Sequence, residues 1–289
     1  LADPALLSRD PPELDLADRA EPDIDALTER ARAAEEAAMA VPGVTNSEGA
    51  GADWSRGMVA LATSAGFAET YVGSRHGVSV SVIAGQGTAM ERDYEFSSAR
   101  YLSDLEDAAT IGVEAGERAV KRLNPRKVAT KKVPVVFAPR VANSLIGHLA
   151  GAITGPSVAR GTSFLKDKLN QQVFAASVNV IDDPHRVRGL RSKPFDGEGV
   201  ANRRLALIDQ GRLTTWLLDS ASGRQLGLPS TGHASRGTAS PPSPGASNLY
   251  LEPGPVTPAE LIEDVADGFY VTELIGFGVN PVTGDYSRG

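Results

Sequence analysis

Small apolar residues recur among acids and arginines from Asp23 to Ala40 (DIDALTERARAAEEAAMA), then Val-Pro-Gly follows, which predicts a helix that stops before the proline. Alternation takes over afterwards. The stretches TYVGSRHGVSVSVIAG and TAMERDYEFSSARYL predict antiparallel strands at Tyr71–Ala84 and Thr88–Tyr101, the first broken near Gly77. TNSEGAGADWS, ahead of them, reads as a loop, and residues 1–20, rich in Pro and Asp, as extended chain. Ser103 and Glu106 stand at capping-box spacing before an amphipathic run to Leu123, which predicts a second helix.

The second half begins with the basic connector NPRKVATKK, followed by VPVVFA, a short buried strand by its composition. Arg140 onward (RVANSLIGHLAGAITG) predicts a helix carrying one histidine, His148. ASVNVIDD reads as a strand, and RRLALID, a Gln-Gly turn and RLTTWLLD read as a hairpin. Ser230–Ser247 is too rich in Gly, Pro and Ser for regular structure, and loops of this length are usually functional or mobile. Thr257, Pro258 and Glu260 mark a capped helix, and the run from Phe269 is a strand leading into a Gly-rich turn. The fold class expected is α+β, with a mixed N-terminal domain at 1–130 and a larger, mainly antiparallel domain at 131–289.

Composition narrows the chemistry. There is no cysteine among the 289 residues, so disulfides, thiolate metal sites and cysteine nucleophiles within this chain are excluded. The acidic start has no basic and apolar leader pattern, and no apolar run approaches the roughly 20 residues of a membrane span, so the sequence reads as cytoplasmic with no membrane role. It lacks an initiator Met and stops after a strand-like run, which reads as an internal piece of a longer protein. Net charge is −7, unevenly spread: residues 1–117 hold 22 acids and 8 bases, while residues 118–166 hold 10 bases and no acid. The apolar VPVVF interrupts that basic segment and no aromatics interleave it, so a solvated or partner-facing surface is expected rather than nucleic-acid binding.

His148 invites a zinc reading, but the same-face positions three and four residues away hold Ser144, Leu145, Gly151 and Ala152, none an ordinary ligand. The other histidines, His76, His185 and His233, are scattered, so a packing role is expected for His148. Asp182, Asp183, His185, Asp196 and Glu198 lie on two acidic loops that could hold a hard cation or act as an acid–base pair, although Asp before Pro and Asp-Gly are first of all turn formers. GPSVARGTS fails as a phosphate loop because Thr162 stands where a lysine is required. Arg160, Gly161, Thr162 and Ser163 can still offer N–H groups and a guanidinium to a peptide carbonyl or carboxylate.

The blocks RGTSFLKDKLNQQVF, DDPHRVRGLRSKPFDGEGV, TWLLDSASGRQLGL, SNLYLEPG and DGFYVTELIGFGVNPVTGDYSRG closely resemble the TldD/PmbA family, and its PmbA (TldE) branch in particular, from about Thr70 to Gly289. The resemblance implies a two-domain TldD/PmbA-like fold and a metal-free subunit. That subunit would assemble with a TldD-type zinc peptidase acting on unstructured or modified peptides. The TldD branch carries H-E-x-x-x-H on the corresponding helix. Counted back from the shared RGTS, those functional positions fall on Ile146, Gly147 and Gly151. No catalytic or metal-binding residue is therefore expected in this chain, and zinc is expected only in the partner. The resemblance also implies that Asp196, Glu198 and Asn280, the last in GVNPVTGDY, lie near the peptide cleft beside Arg160–Ser163. A sheet edge in that region would suit strand addition of an extended peptide. Two rival readings are a self-sufficient hydrolase using the acids at 182–198 with a metal drawn from several loops, and a pure interaction module. Self-association stays open.

Overall fold

The computed structural model describes residues 1–288. Helix α1 (Ile24–Met39) starts where Asp23 accepts a hydrogen bond from the Ala26 N–H at 2.8 Å. Its Ala34 and Ala38 are fully buried against α2 (Ala108–Lys121). The small residues of both helices are what allow this approach: a Cβ added at Gly112 would lie 2.1 Å from the Ala34 carbonyl oxygen. Under the helix pair lies a three-stranded antiparallel meander, β1 (Val44–Ala62), β2 (Ala68–Ala84) and β3 (Glu91–Ala99), in that order. Val78, Val80 and Val82 alternate inward from β2 and close the core with Ile111 and Ala115 of α2.

Four sequence expectations change in this half. TNSEGAGADWS is not a loop but part of the 19-residue β1, whose polar, Gly-rich run is held in register by main-chain pairing with β2 rather than by apolar side chains. β2 runs unbroken through Gly77, where Asp53 of β1 packs so closely that a Cβ would meet its Oδ1 at 2.6 Å. β3 starts at Glu91 because residues 87–89 form a 3-10 turn. The Ser103–Glu106 box does not form either: α2 is capped by Asp107, which accepts from Thr110 N–H at 3.0 Å.

The second half opens with β4 (Val135–Phe137), α3 (Pro139–Ala152) and the short α4 (Gly155–Ala159). β5 (Val180–Asp182), β6 (Leu205–Asp209) and β7 (Arg212–Leu213) follow, then α5 (Ser220–Leu226). β8 (Ala234–Ser235), β9 (Ser243–Pro244), β10 (Leu249–Leu251), α6 (Pro258–Glu263), β11 (Phe269–Val271), β12 (Gly278–Val279) and β13 (Tyr286–Ser287) complete it. The main sheet is antiparallel in the order β10-β5-β6-β7 and packs Leu207, Ile208 and Leu213 against Leu149 and Ile153 at the end of α3. At the hairpin, Gln210 and Gly211 both take positive φ, 46° and 76°, which suits the right-handed twist of the strands they join.

Further corrections belong to this half. β4 is not buried, since Val135 is 48% exposed, and it pairs parallel with β11. TWLLD leaves the ladder after Leu213 because the Leu217 backbone bonds Ile153 and Gly155 at the α3–α4 joint. The Ser230–Ser247 stretch contains the small β8–β9 ladder. The basic segment is partly neutralised: Asp93 of β3 receives Arg140 at 2.7 Å and Arg122 at 3.4 Å, and Glu95 pairs with Arg118.

Candidate functional site

The outer part of the β1–β2 hairpin reaches past its own helices to the second half, where Phe67 and Tyr71 stand edge-on to Phe195 at centroid distances of 4.9 and 5.5 Å. Beside this contact opens a cleft of about 610 Å³, bounded by Met58–Ala62 on one side and by the loops at 193–197 and 234–238 on the other. The edge of β1 away from β2 pairs with no strand among the described residues. A stretch of main-chain donors and acceptors therefore borders the cleft.

Two charged groups are set into the wall. Asp196, 1% exposed, accepts from the N–H groups of Glu198 (2.8 Å), Val200 (2.9 Å) and Ala234 (3.0 Å). Burial pushes its pKa up, and those three N–H donors oppose the shift. Lys193 donates from Nζ to the Ala234 carbonyl oxygen at 2.8 Å, and burial pulls its pKa down. No carboxylate lies within 4.0 Å of Nζ among the described residues. Arg236, exposed, contributes a second cation to the lining.

Behind the wall, Asp182 is fully buried and accepts from Ser247 N–H and Ser247 Oγ, each at 2.7 Å, while His233 Nε2 stands 3.2 Å from its Oδ2. A carboxylate only accepts, so His233 Nε2 donates to Asp182, and its Nδ1 lies 2.8 Å from the Thr231 hydroxyl. This set has Ser, His and Asp but not the wiring of a nucleophile: the Ser247 proton goes to the acid, not to the imidazole. Asp183 accepts from His185 N–H at 2.9 Å, and His185 Nε2 meets Asn202 Oδ1 at 2.7 Å. Glu198 accepts the Ser220 N–H at 2.8 Å at the start of α5. These acids have their oxygens turned to backbone and side-chain donors that shape the loops.

The residues singled out in the sequence separate into two places. Asp196 lines the cleft, and Glu198 lines a smaller hollow beside it that shares Arg236. Arg160, exposed at the end of α4, Gly161 (φ +70°), Thr162 and buried Ser163 are instead joined to Asn280 through the bond from Phe164 N–H to the Pro281 carbonyl at 2.9 Å. Asn280 Oδ1 accepts from Val282 and Thr283 N–H groups at 3.0 and 3.3 Å, fixing that turn. Neither Arg160–Ser163 nor Asn280 is part of the cleft lining. Lys193, Tyr71 and the Met58–Ala62 edge do line it and were missed, because a lysine between Ser and Pro looks solvated until the fold half-buries it.

On α3, Ile146 packs against the core, while Gly147 and Gly151 are exposed and a Cβ at either would meet nothing within 4 Å. His148 turns its ring edge-on to Tyr286 at 5.9 Å, and its Nε2 is buried without a hydrogen-bond partner. These residues do not fit a zinc ion, since a single imidazole stands where several donors are needed. No group of three His, Cys, Asp or Glu side chains able to hold a metal occurs among the described residues. Among them no helix is long and apolar enough to cross a membrane.

Two family models match the chain: the PmbA/TldA metallopeptidase central domain over residues 17–123 and the C-terminal domain over residues 130–289. Metalloprotease PmbA of Escherichia coli O157:H7 is 41% identical over 290 residues, covering 100% of this chain and 62% of that protein. The Haemophilus influenzae PmbA homolog is 40% identical over 293 residues, again 100% and 62%. The chain thus spans about 62% of the length of these relatives. Among solved structures, a candidate modulator of DNA gyrase from Bacteroides thetaiotaomicron superposes with a TM-score of 0.89 at 28% identity, over 100% of this chain and 64% of that one. TldE from Thermococcus kodakarensis shares the fold, with a TM-score of 0.80 at 22% identity over 89% of this chain and 58% of that one. With both domain models matched in order along its length, the chain belongs to the PmbA/TldD metallopeptidase family and to its PmbA branch.

Proposed function

We propose that this chain is the peptide-holding, non-catalytic subunit of a cytoplasmic metallopeptidase, and that a TldD-type partner supplies the zinc and the chemistry. The observation that carries this reading is the cleft beside the unpaired edge of β1. An extended peptide laid along that edge would bond through its main chain, which tolerates many sequences, and alternate side chains would fall into the cleft. That suits unstructured or modified peptides. Arg160–Ser163 and Asn280 are proposed as a second contact, since the Arg160 side chain has no ion-pair or hydrogen-bond partner among the described residues. The rival reading, a hydrolase built on the acids at 182–198, is disfavoured because Asp182 and Asp196 each accept three hydrogen bonds from the protein itself.

The test is reconstitution. The chain and a TldD-type protein, separately and mixed, are given an unstructured peptide, and cleavage is followed by mass spectrometry. Cleavage well above that of either component is expected only in the mixture. Full chelator-sensitive cleavage by this chain alone would overturn the assignment.

A further inference from the structure

The cleft wall is built asymmetrically with respect to charge. Its one carboxylate, Asp196, has both oxygens committed: Oδ1 to the Glu198 and Val200 N–H groups and Oδ2 to that of Ala234. Its lysine is not committed in the same way. An ammonium has three donors, and Lys193 directs one to the Ala234 carbonyl, with no carboxylate in ion-pair range among the described residues. Lys193 is half-buried; burial works against its charge while Asp196 and Asp182 favour it, and the ammonium keeps donors to spare beyond its one bond to Ala234. Arg236 adds a second positive group to the same lining, while Met58, Leu61 and Phe195 give it an apolar side beside Ser235 and Thr238. A half-buried cation with donors left unused gains from an anion that brings its own acceptors.

We propose that the cleft reads a carboxylate of the bound peptide, with Lys193 as its direct donor, Arg236 as a supporting charge, and the Met58–Leu61–Phe195 wall taking an adjacent apolar side chain. The inference rests on the peptide-holding reading above and names the chemical class that reading leaves open. The carboxylate can be the C-terminus of the peptide or a Glu or Asp side chain. Both offer two oxygens to an ammonium. The bland alternative is that Lys193 only ties the 193–197 loop to Ala234, in which case its charge is indifferent to what occupies the cleft.

The experiment uses the purified chain, alone and mixed with a TldD-type subunit, and four fluorescently labelled ten-residue peptides of one apolar, unstructured sequence. They differ in a single internal Glu or Gln and in a free or amidated C-terminus, and binding is read by anisotropy. The unchanged protein is expected to bind the matching carboxylate peptide about ten- to a hundredfold more tightly than its neutral counterpart, the range of one charge-assisted hydrogen bond. Whichever pair shows the difference identifies the source of the carboxylate. Lys193→Met should abolish the preference while neutral-peptide binding persists, and Lys193→Arg should restore part of it. Equal binding of all four peptides overturns the carboxylate proposal and leaves the peptide-holding reading standing. Absence of binding by any peptide overturns both. A preference that survives in a folded Lys193→Met protein removes Lys193 from the role. Should that variant fail to fold, the four-peptide comparison on the unchanged protein still decides whether a carboxylate is read, and Arg236→Gln, at an exposed position, tests the supporting charge.

Discussion

Lys193 and Asp196 grip the same residue from its two ends: the lysine ammonium donates to the carbonyl of Ala234 at 2.8 Å, and the aspartate accepts the Ala234 N–H at 3.0 Å. The cleft wall at 193–197 is thereby locked to the strand that follows His233. One of the two charged groups that hold it, Asp196, is 1% exposed, and the other, Lys193, is half-buried.

That arrangement has a pH signature. The folded-state pKa of Lys193 is lowered by burial, so the cost of its charge is fully present below that pKa and is relieved as pH rises through it toward the unfolded value. Unfolding free energies of the wild-type and Lys193→Met proteins, measured in denaturant at neutral and alkaline pH, should move in favour of the wild type at the alkaline end. A difference that stays flat, or runs the other way, would show that the ammonium is as well solvated in the fold as outside it.

Among the described residues, Asp93 is the carboxylate shared by Arg122 and Arg140, and its side chain is 7% exposed. Asp93→Ala leaves both guanidinium groups without that partner, and a loss of about 2–3 kcal/mol is expected from the bonds to charged groups. Equilibrium denaturation measures it. A change within about 0.5 kcal/mol would mean that the existing pairs of Arg122 with Glu91 and Glu273 suffice and that Arg140 loses little.

Two helical glycines should respond in opposite directions. At Gly112 an added Cβ would lie 2.1 Å from the Ala34 carbonyl oxygen, so Gly112→Ala must push α1 and α2 apart, at about 1–3 kcal/mol or more. At Gly147 the space is open, so Gly147→Ala should stabilise the chain by about 0.5–1 kcal/mol through helix propensity. Thermal melts of the two variants give the comparison. Destabilisation by Gly147→Ala would contradict the open face on α3.

Arg160→Ala tests whether the substrate reaches the second contact. In the reconstituted complex KM should rise about ten- to a hundredfold with kcat little changed, as for a bond made equally in ground and transition states. An assembled variant with unchanged KM would confine peptide binding to the cleft. His148→Ala, whose ring packs on Tyr286, should leave turnover intact, and a thousandfold loss in a folded, assembled variant would make that histidine chemical.

Much of the scaffold was written in local signals. Asp23 and Thr257 announce their helices, the alternating valines of β2 mark the buried face, and Gln-Gly marks the turn of the β6–β7 hairpin. β1 was unreadable because its glycines and polar residues gain strand structure only from the partner ladder. α5 was missed because Ser and Gly inside it are weak helix formers; only the Asp219–Ser222 capping box and the left-handed Gly227 that ends it could have signalled it. The candidate site was half legible. Acid-rich turns pointed to the 182–198 loops, but the burial that makes Lys193 unusual depends on Ala234 and on the β1–β2 hairpin, neither of them near it in sequence.

The parallel pairing of β4 with β11 sets an order of events during synthesis. The strand ladders of the meander and its packing on α1 and α2 lie within residues 24–121, so they can form while the rest is still being made. Val135–Phe137 cannot: its sheet partner is Phe269–Val271, and until the ribosome has delivered that strand the edge of β4 stays open. Between those two moments the nascent chain carries a formed meander whose contacts with residues 188–201 wait on the later chain, and that interval is when a chaperone would find most to hold.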